Sequence, residues 1–429
     1  MRLIKNIQES VFFQNVLPLF LGASGGQLIL LATTPLITRI YTPASFGILT
    51  LYVAALSVLS IAVNGRYELS IMLPKNVADS KSLVYVSVAI TFCLTLFIAL
   101  VLLLVSVTGT QFDGHWPFFL LPAIFLTGIF QVLTVWNNRR QDYGRIARAN
   151  ITQTASTSAS QILLGLFGAQ THGLLLGALI GLFSAVLVHI KSKILKLPSV
   201  YKDISPLLMI KNAKRYKEFP VYSLFGAFVN NLALQSPIFF IGVIFQPAFT
   251  GQYGLATRVV FVPIVVVSTA VFQVIFKQIS VLAHDNYMEL RKYLFGKFAL
   301  LVAIGFPFFV VFNFWAEEIF VTLFGAEWAR AGEFAKYLAW IAFIKFSITP
   351  LTAVFLLKGN VKTGTYWQIL YFITLTSTLI TLYHFGSTIE FFLSIFLLHE
   401  LVLNLISLYL VWLVSSNNKS FSVESDSYE

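Results

Sequence analysis

The chain has 429 residues, of which 57% are hydrophobic and only 11% charged, whereas a soluble domain carries about 25% charged residues. So few charges cannot cover a water-facing surface, which excludes a soluble globular protein and leaves most of the exterior to lipid. The formal net charge of +11 sits in short loops between apolar runs, so it reads as a topology signal and no nucleic-acid partner is expected.

A helix needs about 20 residues to cross the hydrocarbon core, and that length predicts an all-α polytopic membrane protein with about 12 transmembrane helices. No cleavable signal peptide is evident, so the first apolar stretch is expected to be a span, 15–36. It is interrupted by Gly22, Gly25, Gly26 and Pro35. Spans follow at 44–64, 82–106, 117–137, 150–168 and 173–190. The third holds the single cysteine, Cys93, which reads as a small apolar residue, and no Cys/His metal cluster exists. The fifth is rich in Ser, Thr and Gln. A basic loop at about 190–218 reads as a linker, giving an N-terminal six-helix lobe (1–198), a C-terminal one (199–414) and a polar tail (415–429) expected to be disordered.

The second half starts with a span at 219–243 that carries Asn230, Asn231, Gln235 and Pro237. Next come 251–276 with Arg258 and Gln273, then 295–315, 332–357 with Lys336 and Lys345, 364–383, and 390–414 with His399 and Glu400. With both termini in the cytoplasm, all lysines and arginines but Arg39, Arg258, Arg330, Lys336 and Lys345 fall on the cytoplasmic side. Of these five, Arg258, Lys336 and Lys345 lie inside spans, where charge is costly and points to function. Lys336 precedes Lys345 by nine residues, which at about 100° per residue puts it on the opposite helix face.

Tyr41-Thr-Pro43-Ala-Ser-Phe-Gly47 and Phe245-Gln-Pro247-Ala-Phe-Thr-Gly251 share the pattern aromatic-x-Pro-Ala-x-x-Gly. Each lies between the first and second helix of its half. This suggests parallel repeats related by an axis along the membrane normal, against the simpler reading of a recurrent Pro-Gly turn. The Gly and Pro of the first helix in each half would permit bending, or close packing.

Four segments resemble the polysaccharide-biosynthesis and O-antigen flippase family of the multidrug/oligosaccharidyl-lipid/polysaccharide exporter superfamily. They are Arg39-Ile-Tyr-Thr-Pro-Ala-Ser-Phe-Gly47, Gly65-Arg-Tyr-Glu-Leu-Ser-Ile-Met-Leu-Pro74, Lys217-Glu-Phe-Pro220 and Leu323-Phe-Gly-Ala-Glu-Trp-Ala-Arg-Ala-Gly332. The resemblance implies two six-helix lobes around a central cavity. It also implies that an undecaprenyl-diphosphate-linked oligosaccharide, an O-antigen or capsule repeat unit, is flipped across a bacterial inner membrane. Expected partners are this substrate, membrane lipids, a polysaccharide polymerase and a chain-length regulator.

A sugar head group and its diphosphate cannot cross about 30 Å of hydrocarbon without replacement for their water. Phosphates call for Arg or Lys. The candidates are Lys345 first, then Arg258, Arg66 and Lys336, with an ion pair to Glu400 as the structural alternative for Lys345 and an Arg66–Glu68 clasp for Arg66. Asn230, Asn231, Gln235 and Gln273 are candidate sugar contacts, as are Asn64 and Gln131, although such residues also serve as interhelical glue. Glu400 and His399 are candidates for coupling to H+ or Na+, and no other cofactor is expected. Gly22, Gly25, Gly26, Pro35 and Pro237 are candidate hinges. The basic cluster Asn137–Arg145 could attract anionic lipid, but fits ordinary charge asymmetry. No nucleophile–base set or nucleotide loop is present, so no enzymatic activity is expected. The competing readings are a drug or cation antiporter of the same fold, disfavoured by mostly positive buried charge, and a membrane enzyme of polysaccharide assembly.

Overall fold

The computed structural model describes residues 22, 24–107, 116–190, 205–285, 287–357, 360–386 and 388–416. Residues 417–429 of the expected tail and 191–204 of the basic linker lie outside the described residues. All regular structure among the described residues is helical. The helices are α1 (24–40), α2 (Pro43–Ala62), α3 (Tyr67–Ser70), α4 (Val77–Val107), α5 (Trp116–Arg139), α6 (Tyr143–Leu166) and α7 (Gln170–Ile190). They continue with α8 (Pro206–Arg215), α9 (Leu224–Ile244), α10 (Pro247–Asp285), α11 (Tyr287–Phe324), α12 (Ala329–Ile348), α13 (Val361–His384) and α14 (Ile389–Ser416).

Among the described residues, nine helical stretches are long and apolar enough to cross a membrane. The expected twelve are not reached by that measure: α1, α6 and α13 coincide with predicted spans but are not among the nine. In α6 the reason is composition, since Ser, Thr and Gln fill 152–161. The helices also overrun the predicted spans. Instead of 251–276 and 295–315, α10 has 39 residues and α11 has 38, because polar extensions continue a helix that apolar scanning cuts short.

The chain forms two compact units, Met1–Phe239 and Phe240–Glu429. In the first, the apolar face of α4 is turned outward. Its best window has a mean hydropathy of 3.0 with only 6% buried, and Phe92, Leu96, Phe97 and Leu100 are exposed. An apolar surface of this size is a lipid contact. Inside the unit, α6 and α7 pack closely through small residues. A Cβ on Gly177 would lie 2.9 Å from the Gln161 backbone nitrogen, so only glycine permits the approach. Gln161 donates to the Leu174 carbonyl at 2.9 Å, and its own carbonyl accepts from the Tyr41 hydroxyl at 2.7 Å.

In the second unit α12 is the central helix: 67% of its span window is buried. It pairs with α11 through the turn Gly325–Trp328, where Gly325 takes φ 107°, and packs on α10 and α14. Beyond Ile348 the α-helix tightens into a 3-10 helix, Thr349–Leu356. Both copies of the aromatic-x-Pro-Ala pattern start a helix, with Pro43 and Pro247 at the first helical position. There the missing N–H costs nothing, and Thr42 caps α2 by accepting from the Ser45 N–H.

Candidate functional site

Polar chemistry inside the second unit gathers where α12, α13 and α14 meet. Lys345, in the last turn of α12, places Nζ 2.9 Å from Glu400 Oε2 on α14. The Glu400 side chain is fully buried, and Lys345 keeps 27% exposure. The Tyr371 hydroxyl of α13 donates to Glu400 Oε1. One turn along α14, Asn404 Nδ2 donates to the Glu400 carbonyl at 2.8 Å and to Oε2 at 3.3 Å. Lys345 Nζ also lies 5.8 Å from the centre of the Tyr371 ring. Tyr253 of α10 lies close enough to feel the charges of Lys345 and Glu400.

A carboxylate at this depth is tolerable because each of its oxygens meets a donor or a cation. The arrangement forms the ion pair with Glu400 that the sequence offered as the structural alternative for Lys345, joining the phosphate candidate to the coupling candidate. It adds Tyr371, Asn404 and Tyr253. Nothing in their spacing marked them, because the site is assembled from four helices. His399 is the next residue to Glu400, but it points to Thr374, with Nε2 and Oγ1 3.2 Å apart. Its Nδ1 is buried with no hydrogen-bond partner among the described residues.

The other intramembrane cations lie elsewhere. Lys336 faces α11 and sits 3.5 Å from Glu317 Oε2, both partly exposed. Arg258 is five residues beyond Tyr253, about 140° round α10, and is partly buried. Gln273 is exposed on α10.

In the first unit, Arg66 follows Gly65 at the end of α2, and both take left-handed backbone conformations. Glycine suits this region and arginine does not, so Arg66 is held there by its surroundings. Its Nε donates to Ser223 Oγ at 3.4 Å, and Nη1 is 3.9 Å from Glu68 Oε1. Burial pushes the Glu68 carboxyl above its usual range, against the opposing pull of the backbone and of Arg66. Tyr67 donates to the Ala213 carbonyl of α8 at 2.9 Å, and Asn212 of α8 donates to Ser82 and Asp79. The segment 65–74 therefore fastens α8 and the approach to α9 onto α4. Arg139 completes it by donating to the carbonyls of Ile71, Met72 and Pro74. This makes Arg139 a structural brace and removes it from the lipid-attracting cluster considered above.

Asn231 Oδ1 accepts from Ser57 of α2 at 3.2 Å and Gln235 Nε2 donates to the same hydroxyl at 3.4 Å, while Asn230 is exposed. Asn64 and Gln131 bond to each other at 2.9 Å, and Thr91 donates to Asn64 at 2.6 Å. That pair is interhelical glue. Among the hinge candidates, a Cβ on Gly22 would meet Ala147 of α6 at 2.5 Å, so close packing accounts for this glycine. Pro237 lies inside α9, and a π-helical turn, Phe219–Ser223, precedes that helix.

Comparison with solved structures gives the fold. The chain superposes on an inward-facing multidrug resistance MATE family transporter of the MOP superfamily with a TM-score of 0.64 at 14% identity, covering 91% of this chain and 93% of that one. A MOP superfamily transporter from Pyrococcus furiosus gives 0.56 at 13% identity over 93% and 94%. The MATE transporter VcmN of Vibrio cholerae gives 0.52 at 12% identity over 94% and 95%. In sequence, the teichuronic acid biosynthesis protein TuaB of Bacillus subtilis is 23% identical over 159 residues, which are 37% of this chain and 33% of that protein. The match thus spans only a third of that relative's length. Residues 36–333 match the family described as "Polysaccharide biosynthesis protein". On that extent of match, this membrane protein with a MOP-type helical fold belongs to the polysaccharide biosynthesis protein family.

Proposed function

We propose that the protein is a flippase that carries a lipid-linked oligosaccharide, an undecaprenyl-diphosphate-linked O-antigen or capsule repeat unit, from the cytoplasmic to the periplasmic leaflet of a bacterial inner membrane by alternating access. The observation that carries this reading is the conjunction of family and fold. A polysaccharide biosynthesis family is realised here on a membrane fold shared with transporters. The termini lie in the cytoplasm, and a polymerase and a chain-length regulator act on the delivered product.

In this reading the Lys345–Glu400 pair unites substrate and ion. While Glu400 is ionised, it holds Lys345. A proton or Na+ on Glu400 weakens that hold and releases the ammonium towards the diphosphate. Arg66 and Arg258 are further phosphate contacts, Lys336 a lesser one, and Asn231 and Gln235 offer amides to the sugar. Pro35 and Pro237 are the bending points.

The test is transport of a fluorescent lipid-linked oligosaccharide in proteoliposomes, with dithionite reporting the leaflet. Wild type moves the label, and an imposed proton or Na+ gradient changes the rate. Lys345→Ala loses transport while Lys345→Arg retains part of it, and Glu400→Gln loses the response to the gradient. Full transport by Lys345→Ala at normal protein level removes Lys345 as the phosphate site. Failure of the wild type to move any such lipid, with a drug cation moved instead, turns the reading to an antiporter.

A further inference from the structure

The first turns of α11 and the last turns of α14 enclose a groove of about 680 Å³ that the transport reading does not use. Its floor is apolar, and Leu351 and Val411 there are buried. Its mouth is aromatic and basic. Trp412 stacks on Tyr409 with ring centres 6.0 Å apart and planes 18° from parallel, and both residues are about half exposed. The Arg291 guanidinium sits 4.7 Å from the centre of the Trp412 ring, and Lys292 lines the groove beside it. Among the described residues, no carboxylate lines it.

Each feature narrows the occupant. The volume falls in the range of small-molecule sites, about 300–1,000 Å³. Tyr and Trp sit preferentially at head-group depth in a bilayer. A guanidinium held over an indole is fixed in position, and planar guanidinium matches phosphate geometry. An apolar floor below two cations suits an acyl chain below a phosphate. With no carboxylate among the described lining residues, none of them favours the ammonium of a zwitterionic head group.

We propose that this groove binds one anionic glycerophospholipid of the surrounding bilayer, with its phosphate between Arg291 and Lys292 and an acyl chain along Leu351 and Val411. The proposal stands whether or not the protein is a flippase. Basic pockets between membrane helices recognise anionic head groups in this way.

Trp412 is a built-in reporter. The full chain is placed in phosphatidylcholine nanodiscs containing either brominated phosphatidylglycerol or brominated phosphatidylcholine. The Trp412 signal is taken as wild type minus Trp412→Phe. At about fivefold for each basic residue near an anionic surface, brominated phosphatidylglycerol is expected to quench that signal at a mole fraction about 25-fold lower than brominated phosphatidylcholine. The double variant Arg291→Gln/Lys292→Gln abolishes the preference, and Arg291→Lys retains most of it. Equal quenching by the two lipids in wild type overturns the proposal, as does a preference that survives in the double variant. Two further outcomes give the groove to another occupant and also overturn it. One is displacement by undecaprenyl phosphate at lower mole fraction than by phosphatidylglycerol. The other is anionic-lipid quenching that rises several-fold in a chain ending at Ser416, whose removed segment is acidic.

Discussion

Glu400 is surrounded by Lys345, Tyr371 and Asn404 at hydrogen-bond range, so its place in the core depends on them. Removing one partner of a buried pair leaves an uncompensated charge, at about 3–5 kcal/mol. Lys345→Met is therefore expected to lower the melting temperature in detergent sharply, and Lys345→Met/Glu400→Gln to recover most of the loss. If the double variant is no more stable than the single, the pair does not hold the unit together. Arg139 presents a different case: its cation satisfies three carbonyls of one turn. Arg139→Leu should cost about 1–3 kcal/mol through those orphaned acceptors, read as easier proteolysis near Met72. At Asp142, burial alone would raise the carboxyl, but its bonds to Arg145 hold it below its usual value of 3.8. A carboxylate with a lowered pKa stabilises the fold above the ordinary carboxylate range, and that stabilisation is lost as pH falls through its folded pKa. The difference in melting temperature between wild type and Asp142→Asn should thus be largest near neutrality and shrink in acid.

Helices in this protein are placed by what their glycines let them approach. A Cβ on Gly332 would stand 2.6 Å from the Glu317 Cα, where α12 crosses α11, and backbone cannot yield as a side-chain tip can. Gly332→Ala is expected to destabilise by about 1–3 kcal/mol, while Gly226→Ala in α9, which meets nothing within 4 Å, should be neutral or slightly stabilising in the same melting assay. Gly22 and Gly177 belong to the first kind. The α6 helix shows why apolarity alone does not define a span. Thr33 of α1 donates to Ser158 of α6 at 2.9 Å, and Gln161 bonds to the α7 backbone. A helix whose polar side chains are satisfied by neighbours need not be apolar enough to cross a membrane by itself.

At the scale of the whole molecule, lipid replaces water as the solvent. The outward face of α4 is mostly Phe and Leu from Phe92 to Leu104, and a charge at mid-bilayer costs about 2.5–3.5 kcal/mol on insertion scales. Phe97→Asp is expected to reduce membrane-inserted protein well below wild type, whereas Val107→Asp at the helix end should insert normally. Equal insertion of the two would contradict a lipid-facing α4.

Much of this architecture was legible in the chain alone. Crossing a bilayer is a demand on local length and apolarity, so the predicted spans coincide with long helices even where their ends differ. The turns at Pro43 and Pro247 were visible for a similar reason, since proline at a helix start is a local rule. Tertiary structure alone decided what the buried charges do. Lys345, Tyr371 and Glu400 lie on three helices, and only packing brings a cation, a hydroxyl and a carboxylate within bonding distance; Lys336, on the same helix as Lys345, is turned to a different partner. The same holds for Arg139, which reads as a loop charge until the 71–74 turn folds against it. Hydrophobic length is a property of neighbours along the chain, whereas the stabilisation of a buried charge is a property of neighbours in space.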